Sequence, residues 1–384
     1  MKWVFRLIAI TGLMTGTSAF AQFDPDAEHL VRDAQIAMMI DGDTGQVLFA
    51  KDANRRFIPA SITKIMTAFL AFEMIKSGEL RFDQKFALSK GAADDWYRTG
   101  STMFLIPREL TTVDDLLKGI ASVSANDGSA ALAEGAAGSI DAWTARMNEM
   151  ARRIGMRDSH FGTPNGWPDA GGTFTTASDL MRLSRLLIQR HPYLYSRYFG
   201  RNGMRHNGFA QANHDPISGI VEGADGIKTG YTRQAGHGFV GSAKRAGQRL
   251  IMVVAGVDGS PARTQASRDF MEWGFAAFER KSVLRKADIV AYAKVQNGAS
   301  SSVGLQPRDD VSLALSKGQS GDVRGSVRYA GPLEAPLDAG QSVATLELRQ
   351  GGKTLASIPL VASDNVAEAG VGQRITNAFR EWVE

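Results

Sequence analysis

Ser61 and Lys64 stand three residues apart at the head of a long apolar run, Ser124 and Asn126 two residues apart further on, and Lys228-Thr229-Gly230 beyond both. These residue types can carry acyl transfer through serine without a histidine. A serine hydroxyl is a poor nucleophile near neutral pH and needs a base within hydrogen-bond reach. Positions i and i+3 of a helical turn share a face, so Lys64 is placed to be that base. A lysine in a dry pocket beside another cation gives up its proton more easily, because desolvation and like charge both disfavour the ammonium. Lys228 is the second cation. A helix starting at Ser61 also aims its dipole and free N–H groups at a developing oxyanion.

Ser124 and Asn126 belong in a loop between helices. A hydroxyl there relays a proton between the lysines and a leaving amine, and an amide holds both the lysine and a substrate carbonyl. Alone, Ser-x-Asn-Asp-Gly is ordinary turn chemistry. Lys228-Thr-Gly230 opens an apolar-flanked strand, and an edge strand there can pair with an extended peptide. Lys228 and Thr229 would meet a terminal carboxylate, and Gly230 would admit the substrate backbone. Each triplet is common by itself; the order of the three carries the information.

The elements that must hold these residues are legible in outline. Ile36–Ile40 and Gln46–Ala50 read as strands flanking the turn-rich Asp41-Gly-Asp-Thr-Gly45. A helix from Ser61 to about Ser77, with Gly78 as its stop, carries Ile65, Met66, Phe69, Leu70 and Phe72 on almost every face, so it is buried. From 114 to 190 the chain reads as mainly helical, with starts at Asp114-Asp115 and Ser178-Asp179. The stretch Thr163-Pro-Asn-Gly-Trp-Pro-Asp169 is a dense turn. Strands return at 226–231, 239–243 and 250–256, and an amphipathic helix follows near 264–278. This pattern predicts an α+β fold with one antiparallel sheet flanked by helices. Beyond Arg285 short apolar strands alternate with Gly, Pro and Asp turns, as in a small all-β domain.

The ends have their own character. Lys2 and Arg6, an apolar stretch from Leu7 to Leu13, and Ala19-Phe-Ala21 form a secretory signal with cleavage expected after Ala21. The segment is too short and too broken by Thr11 and Gly12 to be a membrane span. Expected boundaries are 1–21 signal, 22–284 catalytic domain, 285–369 β-rich domain and 370–384 amphipathic helix. In that last segment Val371, Ile375, Phe379, Trp382 and Val383 form one stripe, as on a helix that packs against the β-rich domain or lies on a surface. Arg374 and Arg380 are balanced by Glu381 and Glu384, so attraction to anionic lipid is small.

The net charge is only +4, and no run of like charge appears, so no nucleic-acid partner is expected. Cysteine is absent, which removes thiol catalysis and fits an exported protein held by core packing. The six histidines show no zinc-type spacing, so no metal and no other cofactor is expected.

Over nearly its whole mature length the sequence resembles the low-molecular-mass penicillin-binding proteins, the serine D-alanyl-D-alanine carboxypeptidases. Besides the three motifs, Ala224-Asp-Gly-Ile-Lys-Thr-Gly-Tyr-Thr232 with Ala235-Gly236, and Phe161-x-x-Pro-Asn-Gly-Trp-Pro168, are similar to that family's extended signatures. So are Asp269-Phe-Met-Glu-Trp-Gly-Phe275, Ala335-Pro336 and Ile358-Pro-Leu-Val-Ala362. The resemblance implies a serine β-lactamase/penicillin-binding transpeptidase-like domain, peptidoglycan stem peptides as substrate, acylation by β-lactam antibiotics, and a periplasmic location with the 370–384 helix as an anchor on the inner-membrane surface. It also implies Ser61 as nucleophile, Lys64 as base, Ser124 in proton transfer, Asn126 orienting substrate, and Lys228 stabilising charge. The backbone N–H groups of Ser61 and Tyr231 would form the oxyanion hole, and Thr229 with an arginine would bind the terminal carboxylate.

The chain departs from the family pattern at two places. An Arg-Asn-Gly seen in relatives is His206-Asn207-Gly208 here, preceded by Arg205, and the histidine that follows Lys-Thr-Gly in some members is Tyr231. His206 and Arg263 are therefore both candidates for the carboxylate end of the substrate. Residues 157–179 contain no glutamate, which disfavours fast β-lactam hydrolysis. A DD-endopeptidase would use the same machinery, and a non-catalytic wall-binding scaffold would not keep all three motifs.

Overall fold

The computed structural model describes residues 5–7, 25–317, 323–350 and 353–370. They fall into two compact units, Phe23–Ala277 and a second comprising Phe278–Glu384 with Met1–Gln22. The stripe expected over 370–384 lies, but for Gly370, outside the described residues. Of the expected signal segment only Phe5–Leu7 is described, as a short strand parallel to Arg324–Arg328.

The first unit is built on a five-stranded antiparallel sheet. Its strands are β1 (Ile36–Asp41), β2 (Val47–Lys51), β3 (Ala224–Thr232), β4 (Gly236–Arg245) and β5 (Gln248–Val257), in the order β2-β1-β5-β4-β3. β1 is buried along its whole length, as a continuous apolar run between two neighbours should be. Asp41 ends it by accepting hydrogen bonds from Thr44 N at 2.8 Å and Thr44 Oγ1 at 2.9 Å, which closes the turn into β2. β3 lies at the sheet edge, paired on one side with β4 in the register Thr229 to Phe239, Gly230 to Gly238 and Tyr231 to His237.

The longer helices are α1 (Lys64–Ser77), α2 (Val113–Ser122), α3 (Asn126–Ala137), α4 (Ile140–Arg153), α5 (Ala177–Arg190) and α6 (Ser260–Ala277). α1 is the core helix, with Ile65, Met66, Phe69 and Phe72 fully buried, and Gly78 stops it at φ 80°. Its first turn differs from expectation: Ala60–Thr63 form a 3₁₀ turn, and the α-helix starts only at Lys64. α2 and α5 begin slightly earlier than the Asp114 and Ser178 expected. Thr112 and Thr176 are the capping residues, accepting from Asp115 N and Asp179 N.

The second unit carries β6 (Phe278–Leu284), β7 (Ala291–Gln296), β8 (Ser302–Pro307), β9 (Val311–Ser316), β10 (Arg324–Arg328), β11 (Ser342–Gln350) and β12 (Lys353–Ala362). Strict alternation in β7 buries Ala291, Ala293 and Val295 on one face. Leu305, Leu313, Leu346, Leu348 and Leu360 fill the core. The unit begins at Phe278, ahead of the expected 285. β6 pairs with β9 some thirty residues later, a partnership that composition does not reveal.

Candidate active site

Two glycines facing each other across β3 and β4 explain where the serine sits. Gly230 and Gly238 are register partners, and together they leave a bare patch on the sheet face. The Pro59–Ile62 turn lies against it: a Cβ at Gly230 would stand 2.5 Å from the Pro59 carbonyl oxygen, and one at Gly238 3.1 Å from Ile62 Cδ1. The close approach that Gly230 permits is thus made by the protein's own serine turn, as well as by whatever enters the cleft it lines. From the other side Gly166, at φ +75°, presses on the Ala60 carbonyl, where no side chain fits. Ser61 is clamped between a sheet face and the 163–168 loop.

Lys64 is 1 % exposed, and its ammonium nitrogen is held by three acceptors. It donates to Ser61 Oγ at 2.9 Å, Asn126 Oδ1 at 2.8 Å and the Asn165 carbonyl at 2.9 Å. Burial, and after it the nearby Lys228, push its pKa well below the ordinary lysine value; the Asp127 carboxylate works the other way. Lys228, also buried, donates to the Thr229 carbonyl at 3.1 Å. Its burial lowers its pKa to about 7, with Asp215 opposing the shift and Arg263 adding to it. Two buried lysines of weakened basicity, one of them hydrogen-bonded to the serine, are what a general base and a proton donor require.

Ser124 sits between α2 and α3 at φ 62°, and its buried Oγ has no hydrogen-bond partner among the described residues. The hydroxyl lines the cleft and is free to relay a proton. Asn126 opens α3. Its Nδ2 donates to the Thr99 carbonyl at 3.2 Å, which turns Oδ1 toward Lys64.

A cleft of about 820 Å³ opens beside these residues, with Lys64 and Lys228 outside its lining. Ser61, Ser124, Asn126, Thr229, Gly230 and Tyr231 line it, and so does Arg263. His206 does not. It ends one strand of the hairpin Gly203–His206/Phe209–Ala212, whose two-residue turn is Asn207-Gly208 at φ 46° and 80°. Asn-Gly is the strongest short hairpin signal, so His206-Asn-Gly208 is turn chemistry here. The choice between His206 and Arg263 as cleft residues falls to Arg263. It is 6 % exposed and donates to Ser260 Oγ at 3.2 Å, and its Nε has no partner among the described residues.

Sequence reasoning missed several cleft residues. Trp167 was noted only as part of the Phe161–Pro168 signature, with no role in a cleft, and Arg233 carried no signal beyond its exposed polar character. His237 lies directly across the ladder from Tyr231, their rings stacked at 4.1 Å between centroids. His214 stands beside Lys228 and Arg263; burial first, then those two cations, lower its pKa. The cleft carries two arginines, Arg233 and Arg263, and no carboxylate among its described lining residues.

Comparison with known proteins agrees with this geometry. The profile of the D-alanyl-D-alanine carboxypeptidase family matches residues 23–259, and that of the penicillin-binding protein 5 C-terminal domain matches residues 278–368. The chain is 31 % identical to the D-alanyl-D-alanine carboxypeptidase DacF of Bacillus subtilis, over 98 % of this chain and 97 % of that protein. It is 32 % identical to the D-alanyl-D-alanine carboxypeptidase DacA of Escherichia coli, over 91 % and 89 %. Penicillin-binding protein 5 of Haemophilus influenzae superposes with a TM-score of 0.78 at 30 % identity, covering 88 % of this chain and 98 % of its own. Penicillin-binding protein D2 of Listeria monocytogenes, solved in a cefotaxime-bound form, gives 0.58 at 29 %, covering 63 % and 97 %.

Proposed function

The chain belongs to the D-alanyl-D-alanine carboxypeptidase family, and from that premise we propose how its cleft works. It is a serine-type D-alanyl-D-alanine carboxypeptidase acting on peptidoglycan stem peptides, and β-lactams acylate it. The observation that carries the mechanism is the Lys64 amine, buried and 2.9 Å from Ser61 Oγ.

The substrate strand adds to the open edge of β3, and its terminal carboxylate lies toward Thr229 and Arg263. Lys64 takes the Ser61 proton as Oγ attacks the carbonyl of the penultimate D-alanine. The Ser61 and Tyr231 N–H groups stabilise the oxyanion. Ser124, with Lys228 behind it, hands a proton to the departing D-alanine amine. Water then hydrolyses the acyl-enzyme. A β-lactam enters the same path, but its acyl-enzyme persists. Residues 157–179 offer no glutamate to activate water, and Asp169 is engaged by Thr173, accepting from its N at 2.9 Å and Oγ1 at 2.6 Å.

The cationic cleft supports trimming of a free carboxylate terminus over cleavage of crosslinks, where that terminus is less accessible. We place the mature protein outside the cytoplasmic membrane, exported by residues 1–21, periplasmic, and peripheral on the inner membrane through 370–384.

Two measurements test the reading. The purified protein releases D-alanine from an Nα-acylated peptide ending in D-Ala-D-Ala, and labelled penicillin stays attached to the peptide containing Ser61 for many turnover times. D-alanine release without any penicillin adduct would sink the shared acyl-enzyme. An adduct with release only from crosslinked muropeptides would favour the endopeptidase.

A further inference from the structure

Next to Asn126 lies a carboxylate that this mechanism leaves unused. Asp127 is 1 % exposed. It accepts from Thr102 Oγ1 in a very short hydrogen bond, from Met103 N and Leu105 N at 3.0 Å each, and from Gly128 N at 2.9 Å. All four donors are neutral. Hydrogen-bond donors favour the ionised form of a carboxylate, and none of these four brings a positive charge of its own to cancel it.

Two consequences follow from where those donors come from. Three belong to the 102–105 segment, and the same loop supplies the carbonyls that hold Asn126. Ser101 O accepts from Asn126 N at 2.8 Å, and Thr99 O from its Nδ2 at 3.2 Å. Gly100 fits against Asn126 so closely that a Cβ there would stand 2.8 Å from Nδ2. The loop thus decides which way the Asn126 amide faces, and Oδ1 is left for Lys64. The hairpin beyond braces it, through Gln211 Nε2 to Thr102 O at 3.1 Å and Asn207 Nδ2 to Phe104 O at 2.9 Å.

The second consequence is electrostatic. The charges that face Lys64 are Lys228 from β3 and Asp127 from α3. The loop above it brings Asp169, already taken by Thr173, and α4 presents the neutral Met147 to the neighbouring Thr67. Asp127 is therefore the negative charge that opposes Lys228 in its effect on the catalytic amine.

We propose that Asp127 is a positioning residue for the reaction, one carboxylate that fixes the loop framing Asn126 and supplies the negative charge that Lys64 faces. The proposal rests on Lys64 being the base for Ser61. Removing the charge while keeping the shape lowers the amine's affinity for a proton further, so its free form survives to lower pH. A purely structural role would loosen the loop and leave the titration where it was.

The test is the pH profile of penicillin acylation in the full chain. Asp127→Asn moves the acid limb to lower pH by roughly one unit, the scale of one charge acting through a partly screened interior. Thr102→Val removes a loop contact and keeps the charge, so it slows acylation about three- to tenfold with the limb unmoved. An unshifted limb in folded Asp127→Asn overturns the electrostatic part. Should that variant not fold, Thr102→Val still decides the positioning, because acylation at the wild-type rate would overturn it. The underlying reading is judged separately: a wild-type profile with no acid limb removes Lys64 as base, whatever Asp127 does.

Discussion

Lys64→Met acylates with penicillin about 10³- to 10⁴-fold more slowly than the wild type, while Ser61→Ala shows no adduct at all. The size follows from losing general-base catalysis, worth about 10²- to 10⁴-fold, together with the contact that orients the hydroxyl. Lys64 is the sole side chain hydrogen-bonded to Ser61 Oγ among the described residues. Water has no easy way in as a substitute, because the amine sits at 1 % exposure between Asn126 and the Asn165 carbonyl. Methionine keeps the length and volume of the buried lysine stem, so the variant folds. Lys64→Arg is the sharper control: it keeps a cation but cannot lose its proton at any relevant pH. Its acylation stays as low as that of Lys64→Met. Stopped-flow acylation with a fluorescent penicillin reads all four proteins. A Lys64→Met rate within tenfold of wild type would remove lysine as the base.

That the two catalytic groups could be paired from sequence, while most of their setting could not, has a physical reason. Ser61 and Lys64 are joined by local geometry, where three residues suffice to bring two side chains together. Buried apolar periodicity likewise marked α1 and the central strands. The contacts that make Lys64 a base are non-local: Asn126 is 62 residues away and Asn165 101. The second is a backbone carbonyl, which any residue type supplies, so no side-chain identity announces it. Gly230 reads from sequence as room for a substrate backbone and Gly238 carries no signal, and only their register shows that together they seat the serine turn. Asp127 was absorbed into a turn signal. His206 was drawn into the site by a motif whose Asn-Gly has a simpler use, closing a hairpin.

Arg263→Gln raises KM for peptides ending in a free D-Ala-D-Ala carboxylate about 10- to 100-fold, with a smaller change in kcat. Arg263 reaches the cleft from the first turn of α6, and at 6 % exposure it has given up most of its hydration. Within the protein it recovers little: the Ser260 hydroxyl at 3.2 Å, and nothing for Nε among the described residues. Burial lowers its pKa, with Asp215 as the opposing charge, so the guanidinium is held at a cost that a bound anion relieves. A carboxylate is the ligand that a planar fork fits in two places. Hydrogen bonds to a charged group contribute about 1.5–3 kcal/mol, which converts to the stated range in affinity. Glutamine keeps much of the volume and a donor but neither the charge nor the fork. The discriminating measurement repeats the assay with a substrate whose C-terminus is an amide. Wild type handles that substrate poorly, and Arg263→Gln handles it equally poorly, because the interaction lost in the variant was never available. If the variant weakens acid and amide substrates by the same factor, Arg263 supports the cleft wall and the carboxylate is bound elsewhere. If only the acid suffers, the terminal charge is read from α6, and the motif strand supplies the edge along which the rest of the peptide lies.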